Sequence, residues 1–179
     1  MSIVDSRCVG LALILAGFPS CASSTVADQA VEPRLNLLLI TADDLNYDSV
    51  GVYGCKLPGI TPNIDRLARQ GLRFEHGHVT IAVCQPSRSV MLTGRYPHWN
   101  GARGFEAIRD DIPTLTHELH KNGYVNGILG KVDHLAPARK FAWDVSVGPT
   151  ELGHGREPQR YREEVRRFLR LAKERRRPF

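Results

Sequence analysis

Residues 34–44, RLNLLLITADD, form a nearly unbroken apolar run that stops at two adjacent aspartates. A run of this kind reads as a strand buried on both faces, the habit of parallel sheets covered by helices. Helix and strand signals then alternate along the chain. TPNIDRLARQG (61–71) reads as a helix, with Thr61 as cap, Pro62 at the first position, Ile64, Leu67 and Ala68 on one face, and Gly71 at the end. LRFEHGHVTIAV (72–83) is a second strand candidate. PSRSVMLTG is a short helix with Pro86 at its first position and Gly94 at its end. IPTLTHELHKNG places Leu115 and Leu119 one turn apart before Gly123, and YVNGILG (124–130) is a third strand reaching Lys131. Strands alternating with helices predict an α/β fold with a mainly parallel sheet flanked by helices. Ligands of such sheets sit beyond the carboxyl ends of the strands. Asp43–Asp44, the loop at Cys84 and Lys131 are therefore expected on one edge.

The first residues are organised differently. Arg7 precedes CVGLALILAGF, an apolar run too short to span a bilayer, and small residues follow in PSCASSTVADQA. This is the layout of a signal peptide over residues 1–27, with cleavage near residue 22 or 27, and predicts export to a periplasmic or extracellular space. Lipoprotein anchoring at Cys21 is the lesser alternative, because FPSC is a poor lipobox. Residues 34–179 then form the folded part. The net charge of +5 is localised: residues 156–179 hold ten Lys/Arg against four Asp/Glu, so the remainder carries about −1. No basic face spreads over the fold, which argues against a nucleic-acid partner. In the terminal YREEVRRFLRLAKERRRPF, Tyr161, Val165, Phe168 and Ala172 share one face of an amphipathic helix whose charged side is expected in solvent.

Once the leader is set aside, Cys55 and Cys84 remain. An exported pair invites a disulfide, yet the surroundings of Cys84 invite chemistry. Arg88 follows one turn later, so both side chains share the start of a helix, where free N–H groups and the dipole favour anions. Adjacent aspartates suit a turn or cap, or hard-oxygen coordination of Ca²⁺ or Mg²⁺. With Lys131 and His134, these groups describe a pocket for a tetrahedral oxyanion such as sulfate or phosphate, in which a thiol could act as nucleophile. A thiol-phosphatase loop would need its arginine six positions after the cysteine, where Val90 stands. A zinc site from His76, His78 and Cys84 lacks a fourth ligand.

CQPSRSVMLTG (84–94) resembles the Cys-x-Pro-Ser-Arg-x-x-x-Leu-Thr-Gly signature of the type I sulfatases. NLLLITADDLNYDSVGVYG, TPNIDRLARQGLRFEHGHV, TGRYPHWNGARG and GKVDHLAP stand in that family's order, from about Asn36 to Pro137. Lys-x-x-His and RYPHWNG look closest to the heparan N-sulfatase and iduronate-sulfatase branch. The resemblance implies an alkaline-phosphatase-like α/β fold and hydrolysis of a sulfuric ester or sulfamate, on a sulfated carbohydrate. It also implies that Cys84 is oxidised to Cα-formylglycine by a separate generating enzyme, a partner during maturation. The hydrated aldehyde attacks sulfur with one hydroxyl and uses the second to expel sulfate, a step closed to an ordinary serine. By the same resemblance, Asp43, Asp44 and the residue-84 oxygen hold Ca²⁺, Arg88 steadies the diol, and Lys131 and His134 bind sulfate and assist the leaving group. Gln85 stands where the family more often has a small residue.

The family's domain is more than twice as long and draws further metal ligands and a further histidine from later segments, so the resemblance implies the N-terminal, truncated part of a sulfatase domain. Two other readings stay open: a non-catalytic exported fragment, and a phosphodiesterase or phosphonate hydrolase of the same superfamily.

Overall fold

The computed structural model describes residues 34–179; the expected signal peptide, with Cys8 and Cys21, lies outside the described residues. Four of the helices fall where local sequence signals put them. α1 spans Pro62–Gln70 with Pro62 at its start and the Gly71 N–H returning to Leu67 O. α2 spans Cys84–Thr93 and ends at Gly94 in the left-handed region. A single turn, α3 (Pro97–Asn100), follows, then α4 (Leu115–Lys121), whose Thr114 hydroxyl accepts the His117 N–H. α5 covers Pro158–Arg175, with Ala172 buried and Tyr161 and Phe168 half-buried on its inward face, while Val165 is exposed.

Two local readings change. α2 begins at Cys84, so Pro86 occupies its third position. Proline is tolerated there because first-turn N–H groups have no intrahelical acceptor. Thr61 does not cap α1: its hydroxyl accepts the Gly51 N–H (2.8 Å) and donates to Asp65 Oδ1 (3.0 Å), which also accepts the Val52 N–H. The side chain is spent on the preceding loop.

The sheet is smaller than the sequence predicts. Among the described residues it has two strands, β1 (Gly127–Leu129) and β2 (Val145–Val147), paired in parallel with Gly127 opposite Val145 and Leu129 opposite Val147. Residues 34–44 and 72–83 are not strands. A strand is defined by its ladder, and these segments have none. In the first, the Leu37 N–H donates to Phe179 O (2.6 Å) and Asn36 Oδ1 receives the Phe179 N–H (3.2 Å), but no neighbour continues the ladder; Leu38 and Ile40 are 78% and 77% exposed. In the second, Phe74 O is taken by the Tyr53 hydroxyl (2.9 Å), and Arg73 donates to Val52 O. Side chains, not a partner strand, hold that segment.

Buried Ala102, Ile108, Leu135 and Phe141 form the core under α2 and β1, with Leu92, Ile128 and Trp143 packed against it. α5 closes on β1, and the contact is tight: a Cβ on Gly127 would stand 2.7 Å from the Phe168 ring. Gly127→Ala is therefore expected to destabilise the fold by about 1–3 kcal/mol, the usual cost of overpacking, read as an earlier urea midpoint with unchanged slope. Gly127→Ala combined with Phe168→Leu should recover part of that loss.

Candidate active site

β1 ends at Leu129, and the chain turns sharply through Gly130 and Lys131, both with positive φ (81° and 52°). That turn swings Lys131 off the carboxyl end of the strand and leads into a 3₁₀ turn, Val132–His134, which packs on α2. Asp43 meets this corner from the other side. Its Oδ2 pairs with Lys131 Nζ at 2.5 Å and its Oδ1 with Arg88 Nη2 at 3.3 Å, while Arg88 Nη1 donates to Thr41 Oγ1 at 3.0 Å. Three segments remote in sequence thus converge on one carboxylate, at the strand end where an α/β site is expected.

The electrostatics follow from that geometry. The Lys131 ammonium foremost holds the Asp43 carboxyl below its ordinary range; burial opposes it, and the Arg88 guanidinium adds to the lowering. His134 moves the same way for a different reason. Burial disfavours the imidazolium, and the charges of Lys131 and Arg88 add to it, so His134 titrates below 6.5. His134 Nδ1 and Arg88 Nε are buried without a hydrogen-bond partner among the described residues, and the edge of Phe105 lies against the imidazole, 6.4 Å between centroids. Two fixed cations share one carboxylate beside a neutral histidine. The three ionised groups leave an excess positive charge, and unsatisfied polar atoms border them: a setting that favours an oxyanion.

Cys84 and Asp44 stand differently. Cys84 is half-buried at the first position of α2, one turn before Arg88, and is a free thiol, as is Cys55; the disulfide reading does not hold. Asp44 is exposed at φ 53°. None of the hydrogen bonds or ion pairs around Asp43 includes either residue. His76 and His78 are exposed on the irregular 72–83 segment, and no three His, Cys, Asp or Glu side chains are gathered to hold a metal among the described residues, which removes the zinc reading. Asp43, Asp44 and residue 84 likewise form no such cluster among the described residues. Both Asp43 oxygens are engaged by cations, and three donors fall short of the six to eight that Ca²⁺ takes. These residues do not fit a complete calcium site by themselves.

The residues that position the site were less visible in the sequence. Thr41, two places before Asp43, steadies the Arg88 fork. Gln85, 5% exposed, donates Nε2 to Glu106 O at 3.1 Å and ties the start of α2 to the next loop, so the departure at this position is accommodated by a specific bond. Asn100, fully buried, donates to Thr93 Oγ1 and Arg95 O and accepts the Ala102 N–H (2.8 Å), fixing the loop after α2. Thr41 carried a sequence signal by adjacency to the aspartates, and Gln85 by its departure from the small residue usual in the resembling family.

A family model described as Sulfatase matches residues 35–141. Arylsulfatase A of Bos taurus is 40% identical over 123 residues, covering 64% of this chain and 22% of that protein. Iduronate 2-sulfatase of Mus musculus is 36% identical over 132 residues, 72% of this chain and 24% of its own length. N-acetylglucosamine-6-O-sulfatase of Bacteroides thetaiotaomicron is 31% identical over 163 residues, 88% of this chain and 28% of its own. The chain thus spans about a quarter of the length of the curated relatives it matches. The matched stretch holds Asp43, Cys84, Arg88, Lys131 and His134, every group around the strand-end corner. The chain belongs to the sulfatase family.

Proposed function

We propose that this chain carries the nucleophile and the sulfate-binding cations of a sulfuric ester hydrolase acting on a sulfated glycan. The observation that carries the reading is the Asp43 carboxylate shared between Lys131 and Arg88, the latter on the helix that Cys84 opens, with a neutral His134 beside them. Cys84 is the residue from which formylglycine is made by a generating enzyme, and that group supplies a hydrated aldehyde whose paired hydroxyls serve one as nucleophile and one as the means of release.

The rest falls to this chain's own side chains. Arg88 and Lys131 bind sulfate oxygens and counter the charge that builds as the S–O bond lengthens, a contribution that grows in the transition state because the cations are already in place. Asp43 keeps both aligned. His134 donates a proton to the departing alcohol oxygen, its titration brought nearer to neutrality by the bound anion. Asp43 and Asp44 are proposed as two donors to a divalent cation, Ca²⁺ or Mg²⁺, whose remaining donors lie elsewhere. Export follows from the leader-like N-terminus; no helix among the described residues is long and apolar enough to cross a membrane.

Titration of the His134 ring by NMR, with and without sodium sulfate, tests this. Without anion, His134 is expected to titrate below 6.5, because burial and two cations oppose its charge. With sulfate bound, the midpoint should rise, and chloride at matched ionic strength should leave it in place. A midpoint indifferent to sulfate would remove His134 from the anion site. The sign for stability is set by the same shift: the folded form resists protonation, so stability falls as pH drops through 6.5 toward the lowered value.

A further inference from the structure

α5 holds a second cationic feature, remote in sequence from the strand-end corner. Its basic residues divide into two sets. Arg160, Arg167 and Arg175 are used within the fold, paired with Glu157, Glu164 and Asp144. Arg162, Arg166, Arg170 and Lys173 are exposed and enter no ion pair among the described residues. At 3.6 residues per turn these four fall within an arc of about 80°, and at 1.5 Å per residue they extend over about 17 Å. The arc lies opposite the buried face, where Phe168 packs on Gly127 of β1 and Ala172 is buried. The acidic residues of the helix lie outside it; Glu163 and Glu174 run along one flank.

We propose that the Arg162–Arg166–Arg170–Lys173 stripe of α5 is a docking surface for a single linear polysulfated glycan chain. Charges in single file, about one helical turn apart, match an anion whose charges also lie along a line. Arginine's planar fork grips a tetrahedral oxyanion through two donors at once. A flat anionic membrane or a nucleic-acid duplex would bring negative charge onto Glu163 and Glu174 as well. A membrane-lying helix also needs its apolar face free, and here Tyr161, Phe168 and Ala172 are turned into the fold, leaving Val165 and Leu169 exposed. The choice of sulfate as the anion rests on the activity proposed above. The surface itself does not depend on Cys84.

The test is binding of a fluorescent, highly sulfated heparin oligosaccharide to the full chain over a range of salt concentrations. The wild type should bind with a steep salt dependence. R162Q/R166Q/R170Q/K173Q should lose at least about tenfold in affinity and flatten the salt slope by about three to four, one counterion for each cation removed. R162Q/R166Q should fall between the two. K56Q/R69Q/R95Q/R103Q, which removes the same charge from exposed sites elsewhere, should bind as the wild type does. Circular dichroism should be the same for all. Cys84→Ser should bind unchanged, which separates the docking surface from the chemistry: loss of hydrolysis with retained binding leaves this proposal standing. Equal losses in both quadruple variants would overturn it in favour of net charge alone. Equal or tighter binding of a DNA duplex, of phosphatidylserine vesicles or of the desulfated oligosaccharide would overturn it too.

Discussion

Under the activity proposed here, Cys84→Ser is expected to lower turnover of an aryl sulfate by about 10³-fold or more, the scale of losing a covalent nucleophile, and to trap the protein as a sulfate ester. Residue 84 opens α2, with free N–H groups around it and Arg88 one turn on. A serine oxygen there can still attack sulfur: the S–O bond to the sugar or aryl oxygen breaks, the departing oxygen takes a proton, and serine is left as a sulfate ester. Release is the step that fails. Expelling sulfate without water attack needs a second hydroxyl on the same carbon, which serine lacks. Intact mass of the variant after incubation with substrate should show one bound sulfate and no further turnover. Multiple turnovers would mean that the paired hydroxyls are dispensable, and the reading of Cys84 would fail.

Lys131→Ala is expected to weaken sulfate binding by about 10- to 100-fold, the consequence of losing one charge-assisted contact of about 1.5–3 kcal/mol. Lys131 is placed by the paired positive-φ turn after β1, and its ammonium is the foremost influence holding Asp43 ionised. Removing it should therefore also raise the Asp43 titration toward the ordinary carboxylate value. The stability linked to Asp43 is fully present above 3.8 and fades as pH falls through its lowered value, so the wild type should keep Asp43 ionised at pH values where the variant has protonated it. The pair is more than a third exposed, so its contribution to folding is small. The large effect belongs to anion binding. Calorimetry with sulfate measures it, and an unchanged affinity would place the sulfate elsewhere.

How much of this was legible before the structure depended on the range of the forces involved. α1, α2, α4 and α5 declare themselves locally: Pro62 at a helix start, Gly94 and Gly71 at ends, and the stripe Tyr161, Phe168, Ala172 with charge opposite. Strands depend on neighbours. LNLLLI has the composition of a buried strand, yet the described residues supply it with one backbone contact, at Phe179, and its leucines stand in solvent. β2 has three residues and no distinctive pattern. For the site, Asp43 and Lys131 meet as expected although residues 34–44 form no strand, so the strand-end rule held only on the Lys131 side, and helical spacing put Arg88 one turn after Cys84. Gln85 and Phe105 act through contacts that skip many residues, and Asn100 through bonds inside the loop it fixes; of the three, Gln85 alone stood out, as a departure from the small residue usual in the resembling family.

The most direct test is the chemical state of residue 84. The chain is expressed in an exporting host with an active formylglycine-generating enzyme, and the peptide containing VCQPSR is analysed by mass spectrometry after aldehyde labelling. An aldehyde in place of the thiol, absent from a Cys84→Ala control, is the predicted result. An unmodified thiol in that host, while a full-length sulfatase expressed beside it is converted, would contradict the account.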